Sequence, residues 1–300
     1  MLTPEQAQQL GEAMVEVGKV VAPGLRRLST TLTDFAQHAV LVLGPAVRAA
    51  NEGLSTWGKA LLPLIEKLAE LEATRPPNWP SLLTYPLMDR LAREGFPVAW
   101  VPGPDVLDEL MRIGSPDVRG QALLARSEDV LRHAHGVLDE VTNDELKDYV
   151  VVLRQALACV ETSYAPAQAL SLQAAAALAA QETKHANFAS LRRFLDSMKE
   201  MDAYTGAGGV KAAMTLLAVA PILERFVSGI DLPPTTPNRH AVAHIVSLEQ
   251  YTPVNAMLSV LVAVSVLRQA QENRQISGPG DPSHVAIPAP PAGRPNSPGS

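Results

Sequence analysis

The segment Asn238-Arg239-His240-Ala241-Val242-Ala243-His244 contains the residue types and spacing that could perform chemistry. A histidine can move a proton near pH 7, and an arginine can stabilise negative charge on phosphate oxygens. His240 and His244 are four residues apart, so they share one face of a helix. Thr236-Pro237 predicts a helix start just before Arg239. Because the free N–H groups of a first helical turn attract anions, this pattern predicts a phosphodiester site.

The two histidines also have the spacing of zinc ligands on a helix. A metalloprotease motif would carry glutamate at position 241, where this sequence has alanine. Glu182-Thr183-Lys184-His185 is the Glu-x-x-His unit of di-iron bundles, but those bundles need a second copy and two further glutamates. We therefore expect no metal and no cofactor at either place, and a solvated helix end at 182–185.

A mildly basic stretch is formed by Lys184, Arg192, Arg193, Lys199 and Lys211, interrupted by three acidic residues. It could supply phosphate contacts to a nucleic-acid site. An ordinary solvated helix face is the simpler interpretation of such a charge run.

Three other reactive side chains are expected to be structural. His133 and His135 point to different sides of a helix and are predicted to be on the surface. Cys159 lies next to a predicted buried stripe without a nearby base, so it is predicted to be a core residue rather than a nucleophile.

Composition limits the possible classes of protein. The chain has 300 residues, of which 47% are hydrophobic, and a formal net charge of −6. This balance disfavours a general nucleic-acid coat or an anionic-membrane binder, but not a local phosphate site. Ala212 to Leu223 is the nearest candidate for a membrane span, and it is too short. With no signal peptide evident, we expect a cytoplasmic protein without a membrane partner.

Apolar periodicity and breaker residues predict an all-α fold in four parts. Residues 1–75 are expected to be an N-terminal region of amphipathic helices. Residues 76–105 are expected to be a Pro-rich linker or extended segment pinned by Trp100. Residues 106–276 are expected to be a helical domain, and 277–300 a disordered Pro-rich tail.

Within the helical domain the pattern is more detailed. A capping box of Thr142 and Glu145 is predicted to start a helix whose buried stripe runs from Leu146 to Val160. Ala165 to Ala180 is Ala-rich on all sides, which is typical of a central helix. Other helices are predicted at about 118–140, 185–203, 209–228, 237–249 and 253–273, with Gly229 ending one of them.

The string 238–244 resembles the Arg-x4–6-His motif of the HEPN superfamily. Arg239 and His244 match the motif, and His240 matches the polar residue that follows its arginine. The position near a helix start, late in an all-helical region, is also similar. Asn78-Trp79, 98–102 and Asn255-Ala256 look like segments of uncharacterised actinobacterial proteins that carry this domain. The resemblance covers roughly residues 106–273.

HEPN domains are typically helical bundles that dimerise and bring two Arg/His motifs together. The resemblance implies a HEPN-like bundle and a metal-independent endoribonuclease of a toxin–antitoxin or phage-defence system. It implies His244 as general acid/base, Arg239 as stabiliser of charge on phosphorus, and supporting roles for Asn238 and His240. RNA would be cut to 2′,3′-cyclic phosphate and 5′-OH ends. Expected partners are RNA, a second copy and an antitoxin or regulatory protein. The alternative is an inactive HEPN-like module that binds a protein or nucleotide.

Overall fold

The computed structural model describes residues 75–80, 85–200 and 207–277 of the chain. In these ranges it forms ten α-helices, two short 3-10 helices and no β-strand, which confirms the predicted all-α class. Residues 1–74 and 278–300, which contain nearly all of the predicted N-terminal region and tail, lie outside the described part. The α-helices are α1 (Tyr85–Arg93), α2 (Pro104–Arg112), α3 (Pro116–Ala125), α4 (Ser127–Asp139), α5 (Lys147–Cys159), α6 (Tyr164–Glu182), α7 (Phe188–Glu200), α8 (Ala207–Val219), α9 (Arg239–His244) and α10 (Pro253–Ser277).

The core is built around α6 and α10, which pack along each other, and α3, α4, α5 and α8 surround α10. Ala-rich α6 allows this close approach, because its small side chains bring the two backbones together. The predicted central helix is therefore confirmed. Gly120 likewise allows α3 to pack closely against α10, because a Cβ at this position would lie only 2.7 Å from the Val254 side chain.

Helix α10 is long and apolar enough to cross a membrane by composition, but 83% of its apolar window is buried inside the protein. This is the pattern of a core helix. The sequence alone indicates Ala212 to Leu223 as the nearest candidate span, because the charges in the last third of α10 obscure its apolar first part.

Several helix starts differ from the sequence prediction. Thr252 caps α10 as its Thr-Pro pair predicts, with its Oγ1 accepting the N–H of Asn255 at 3.1 Å. The prediction that Thr142 and Glu145 form a capping box is wrong. Asn143 caps the 3-10 helix Asp144–Leu146 through the N–H of Glu145, and the Glu145 carboxylate pairs with Arg274.

Two predicted helices are also shorter than expected. The helix expected at 118–140 is divided at Arg126 into α3 and α4. The helix expected at 209–228 ends at Val219, because Pro221 lacks an N–H for a helical hydrogen bond and instead begins the 3-10 helix Pro221–Leu223. Gly229 does not end a helix. It has a φ of 81° in a later turn, where its lack of a Cβ permits this backbone.

The described residues of 76–105 belong to the same compact unit as the helices that follow them. Asn78 accepts the N–H of Trp100 at 2.9 Å and donates to the carbonyls of Val98 and Pro102. Trp100 has a φ of 71°, a costly backbone for an aromatic residue. These hydrogen bonds hold that backbone in place.

The Trp100 ring contacts two cations, and the sequence predicted neither contact. The guanidinium of Arg268 lies 4.3 Å from the ring centre and the Lys211 ammonium 5.5 Å from it. Lys211 is only 2% exposed and pairs with Glu272 at 2.7 Å, so its placement on a solvated face is wrong. Burial of a lysine is tolerated because this carboxylate neutralises it.

Three smaller predictions are corrected by burial. His133 is half-buried, with its Nε2 3.0 Å from the Trp100 carbonyl, so Nε2 carries the proton there. His135 is exposed as predicted. Cys159 is half-buried instead of in the core. Glu182 is half-buried and pairs with Arg274 at 2.6 Å, because α10 packs beside the end of α6.

Candidate functional site

Helix α9 carries the predicted site residues and is only six residues long. It begins two residues later than the Thr-Pro pair predicts, because Asn238 is the N-cap and its Oδ1 accepts the N–H of Ala241 at 2.8 Å. The helix ends at His244, and the backbone of Ile245 is extended. The prediction that this helix continues to residue 249 is therefore wrong. Arg239 does lie in the first turn. However, a helix this short has little dipole, and Asn238 already satisfies one of its free N–H groups.

A buried glutamine fixes the chain on both sides of α9. The Oε1 of Gln250 accepts the N–H of Asn238 at 2.9 Å and the Nε2 of Gln168 at 2.8 Å. Its Nε2 donates to the carbonyls of Pro234 and Thr236. The side chain of Gln250 therefore ties both loops around α9 to α6, although nothing in the local sequence marks it as important.

Asn238 is used by the fold itself. Besides capping α9, its Nδ2 donates to the Glu224 carbonyl at 3.0 Å, and the residue is buried. The side chain is thus engaged at both its oxygen and its nitrogen. It positions Arg239 and the helix that follows.

Arg239 points toward α6 and the start of α7. Its guanidinium lies 4.0 Å from the centre of the Phe188 ring, and its Nε donates to Gln173 at 3.1 Å. Burial lowers the pKa of Arg239 from its ordinary value, because desolvation disfavours the charged form. No carboxylate among the described residues offsets this cost, so the charge is available to an anion.

The two histidines of α9 touch each other. Their ring centres are 4.4 Å apart and their planes are nearly perpendicular, at 83°. The N–H of Phe226 donates to Nδ1 of His240 at 3.2 Å, so neutral His240 carries its proton on Nε2. His240 is half-buried by this contact, whereas His244 is exposed to solvent. The predicted pairing of the histidines on one face is confirmed.

Arg239 and His244 leave the helix in different directions. They are five residues apart, which at about 100° per residue places their side chains about 140° apart around the axis. His240 and His244 differ by only about 40° on the same basis. The arginine and the exposed histidine of one chain therefore do not face one point.

Three other arginines, two on α7 and one in the loop before α9, also lack a carboxylate within 4 Å among the described residues. Nine arginines elsewhere in the described part each have a carboxylate within 4 Å. Arg192, Arg193, Arg225 and Arg239 have none among the described residues. Arg225 directly precedes Phe226, which binds His240. The sequence indicated the basic character of Arg192 and Arg193, but their lack of partners is visible only in the structure.

Exposed aliphatic side chains occur in the loops on both sides of α9. Before the helix, Ile230 is 80% exposed and Leu232 is 89% exposed. After it, Val246 is 97% exposed and Leu248 is 87% exposed. Exposed apolar side chains indicate a binding surface where they form one contiguous patch.

A cleft of about 440 Å³ lies elsewhere, between the start of α2 and α4. Its charged side chains mostly neutralise each other: Asp129 pairs with both Arg126 and Arg132, and Glu140 pairs with Arg268. The cleft therefore offers few free groups to a ligand. Nowhere in 75–80, 85–200 and 207–277 do three or more His, Cys, Asp or Glu residues group as metal ligands could.

The chain matches no protein-family model, no curated protein and no solved structure.

Proposed function

We propose that the chain is a metal-independent endoribonuclease of HEPN type, acting in the cytoplasm in a toxin–antitoxin or phage-defence system. In this proposal residues 106–276 form a HEPN-like bundle and the tail is disordered. The observation that carries it is the guanidinium of Arg239, which is partly buried, has no carboxylate partner in the described chain, and sits on the same short helix as two touching histidines. An uncompensated cation beside proton-transfer groups suits a phosphodiester.

The proposed reaction is transfer of the phosphodiester within one nucleotide. The ribose 2′-oxygen attacks the adjacent phosphorus, the bond from phosphorus to the 5′-oxygen breaks, and a 2′,3′-cyclic phosphate and a 5′-OH result. His244 takes the proton of the 2′-OH or gives one to the leaving 5′-oxygen. Arg239 stabilises the negative charge that develops on the phosphate oxygens. Water and a metal are not needed for this step.

Two copies of the chain would complete such a site. Arg239 and His244 of one chain diverge around α9, so a single copy does not present both groups to one phosphate. A symmetric pair of α9 helices would let the histidine of one copy face the arginine of the other. One histidine could then act as base while the second acts as acid.

The second candidate function is a non-catalytic HEPN-like module. The observation that favours it is the engagement of Asn238 and Arg239 in contacts within the fold. Such a module would use the exposed loops around α9 to bind a protein or a nucleotide. It would bind without cleaving RNA.

Cleavage of transfer RNA and total RNA in EDTA separates these functions. We expect the wild-type protein to cleave RNA and leave 2′,3′-cyclic phosphate ends, because no metal takes part. His244→Ala should lower the rate by about 10²–10⁴-fold, as the loss of a general acid/base typically does. His135→Ala is the matched control, since that histidine is also exposed but lies on α4.

The same cleavage assay also detects a contaminating nuclease. Equal cleavage by wild type and His244→Ala at matched circular dichroism would show that another nuclease is responsible. Absence of cleavage by the wild-type protein at every concentration would leave the binding module as the function.

A further inference from the structure

The cleft between the start of α2 and α4 is built from one face of α4. His133, Gly136 and Val137 all line it, and residues three or four apart lie on the same side of a helix. Residues 103–106, at the start of α2, also line it. Its volume of about 440 Å³ is large enough for a small organic molecule.

His133 brings an acceptor nitrogen to this cleft. Its Nε2 donates to the Trp100 carbonyl at 3.0 Å, so the neutral ring keeps a lone pair on Nδ1. Nδ1 has no hydrogen-bond partner among the described residues. Gly103 lies beside it, since a Cβ at Gly103 would be 3.6 Å from Nδ1. A ligand at the start of α2 could therefore donate a hydrogen bond to this nitrogen.

Gly136 leaves space in the wall of the cleft. It lies inside α4, where glycine stabilises a helix less than alanine does. A Cβ at this position would meet no atom within 4 Å. Neither packing nor a left-handed backbone therefore requires glycine here, and the space above it is open to a ligand.

The ionised side chains that line the cleft carry an excess of negative charge. Two guanidinium groups and three carboxylates give a net charge of −1; they belong to Arg126, Arg132, Asp105, Asp129 and Glu140. The start of α2 adds at most about half a positive charge, which is the size of a helix dipole end. An anionic ligand is therefore disfavoured in this cleft.

Asp105 is the one lining carboxylate without a cation. Asp129 and Glu140 each have an arginine within 4 Å. Asp105 is exposed, and none of the described residues forms an ion pair with it. The Asp105 carboxylate and Nδ1 of His133 are thus two acceptors that no other side chain engages. A ligand with several N–H donors and a positive charge matches both.

We infer that this cleft binds a small aliphatic amine in its ammonium form, which donates N–H groups to the Asp105 carboxylate and to Nδ1 of His133. The methylene groups of the amine lie against Val106 and Val137, two apolar side chains of the lining. Binding at this site is independent of RNA cleavage at α9.

Isothermal titration calorimetry of the full-length protein with 1,4-diaminobutane tests the site, with 1,4-butanediol as the uncharged analogue. We expect one diamine to bind per chain and the diol not to bind. Asp105→Asn should weaken binding at least about tenfold, because it removes a charged hydrogen bond. Asp117→Asn is the matched control: Asp117 is also exposed, and it follows Pro116 at the start of α3 as Asp105 follows Pro104 at the start of α2.

Two further measurements address the histidine and the open space. In protein labelled with ¹⁵N-histidine, the Nδ1 resonance of His133 should shift on addition of the diamine, whereas that of His135, exposed on the same helix, should not. Gly136→Leu fills the cleft without removing a contact. It should abolish diamine binding and leave the circular dichroism spectrum unchanged.

Several results would overturn the site. Equal weakening by Asp105→Asn and Asp117→Asn would show a general attraction of the diamine to a negatively charged protein. Equal binding of the diol, unchanged binding by Gly136→Leu, or tighter binding of inorganic phosphate than of the diamine would contradict the amine site directly. So would the absence of saturable diamine binding by the wild-type protein.

Discussion

The Arg239 guanidinium stacks on the Phe188 ring at 4.0 Å, and this contact joins the motif helix α9 to the start of α7. Gln173 of α6 holds the same guanidinium through its Nε at 3.1 Å. Two elements distant in sequence therefore set the direction of the arginine. The ring and the amide together restrict the rotation of the Arg239 side chain.

Replacing Phe188 with leucine should separate activity from stability. The variant loses the cation–π contact, so the free energy of unfolding should fall by only about 1 kcal/mol. In the proposed function its RNA cleavage should fall at least about tenfold, since Arg239 is no longer held. Urea unfolding and cleavage of transfer RNA would measure the two effects. Phe194→Leu, on the same helix, is the control, and equal activity of the two variants would contradict the positioning role.

His240 and His244 should differ in their contributions to stability. His240→Ala removes the acceptor of the buried Phe226 N–H, which should cost about 1–3 kcal/mol of unfolding free energy. His244→Ala changes an exposed residue and should stay within about 0.5 kcal/mol of wild type. Chemical denaturation of both variants tests this difference. A larger loss from His244→Ala would contradict this difference and would mean that the ring contact with His240 contributes strongly to stability.

Gln250→Leu should destabilise the region around α9 more than any surface change. The variant leaves the N–H of Asn238 and the carbonyls of Pro234 and Thr236 without their buried partner. We expect a loss of about 2–5 kcal/mol, and hydrogen exchange of residues 234–250 should accelerate first. Glu249→Gln, at the exposed neighbouring position, is the control and should be neutral. Unchanged exchange in Gln250→Leu would show that this hydrogen-bond network does not hold the loops.

Acid should destabilise the core through Glu272. Its carboxylate pairs with Lys211 and Arg268, and despite burial, which acts in the opposite direction, these cations hold the pKa of Glu272 below its ordinary 4.5. The unfolded state therefore binds the proton more tightly, so this stability is present above about pH 4.5 and is lost as the pH falls through the lower folded pKa. Urea unfolding from pH 3 to 7 would show a steeper loss for wild type than for Glu272→Gln. Glu128→Gln, an exposed control, should keep the wild-type slope.

Local patterns in the sequence predicted part of the site. Thr252-Pro253 predicted the start of α10, and the spacing of His240 and His244 predicted that they share one helix face, because caps and i,i+4 pairs are set within one or two helical turns. Asn238 illustrates the limit of this reasoning. The Thr236-Pro237 pair predicted Thr236 as the cap of α9, but Asn238 caps the helix. The carbonyl of Thr236 is bound by Gln250, and the asparagine became the cap.

By itself, the sequence determined the all-α class, the Ala-rich central helix and the presence of Arg239 in a first helical turn. Only the tertiary structure decided which charges have partners. Lys211 meets Glu272, 61 residues away, and becomes a buried ion pair, whereas Arg239 meets Phe188 and Gln173 and keeps its charge free of a carboxylate. The physical reason is range: helix formation depends on neighbours within a few residues, while burial and pairing depend on side chains that packing brings together from distant parts of the chain.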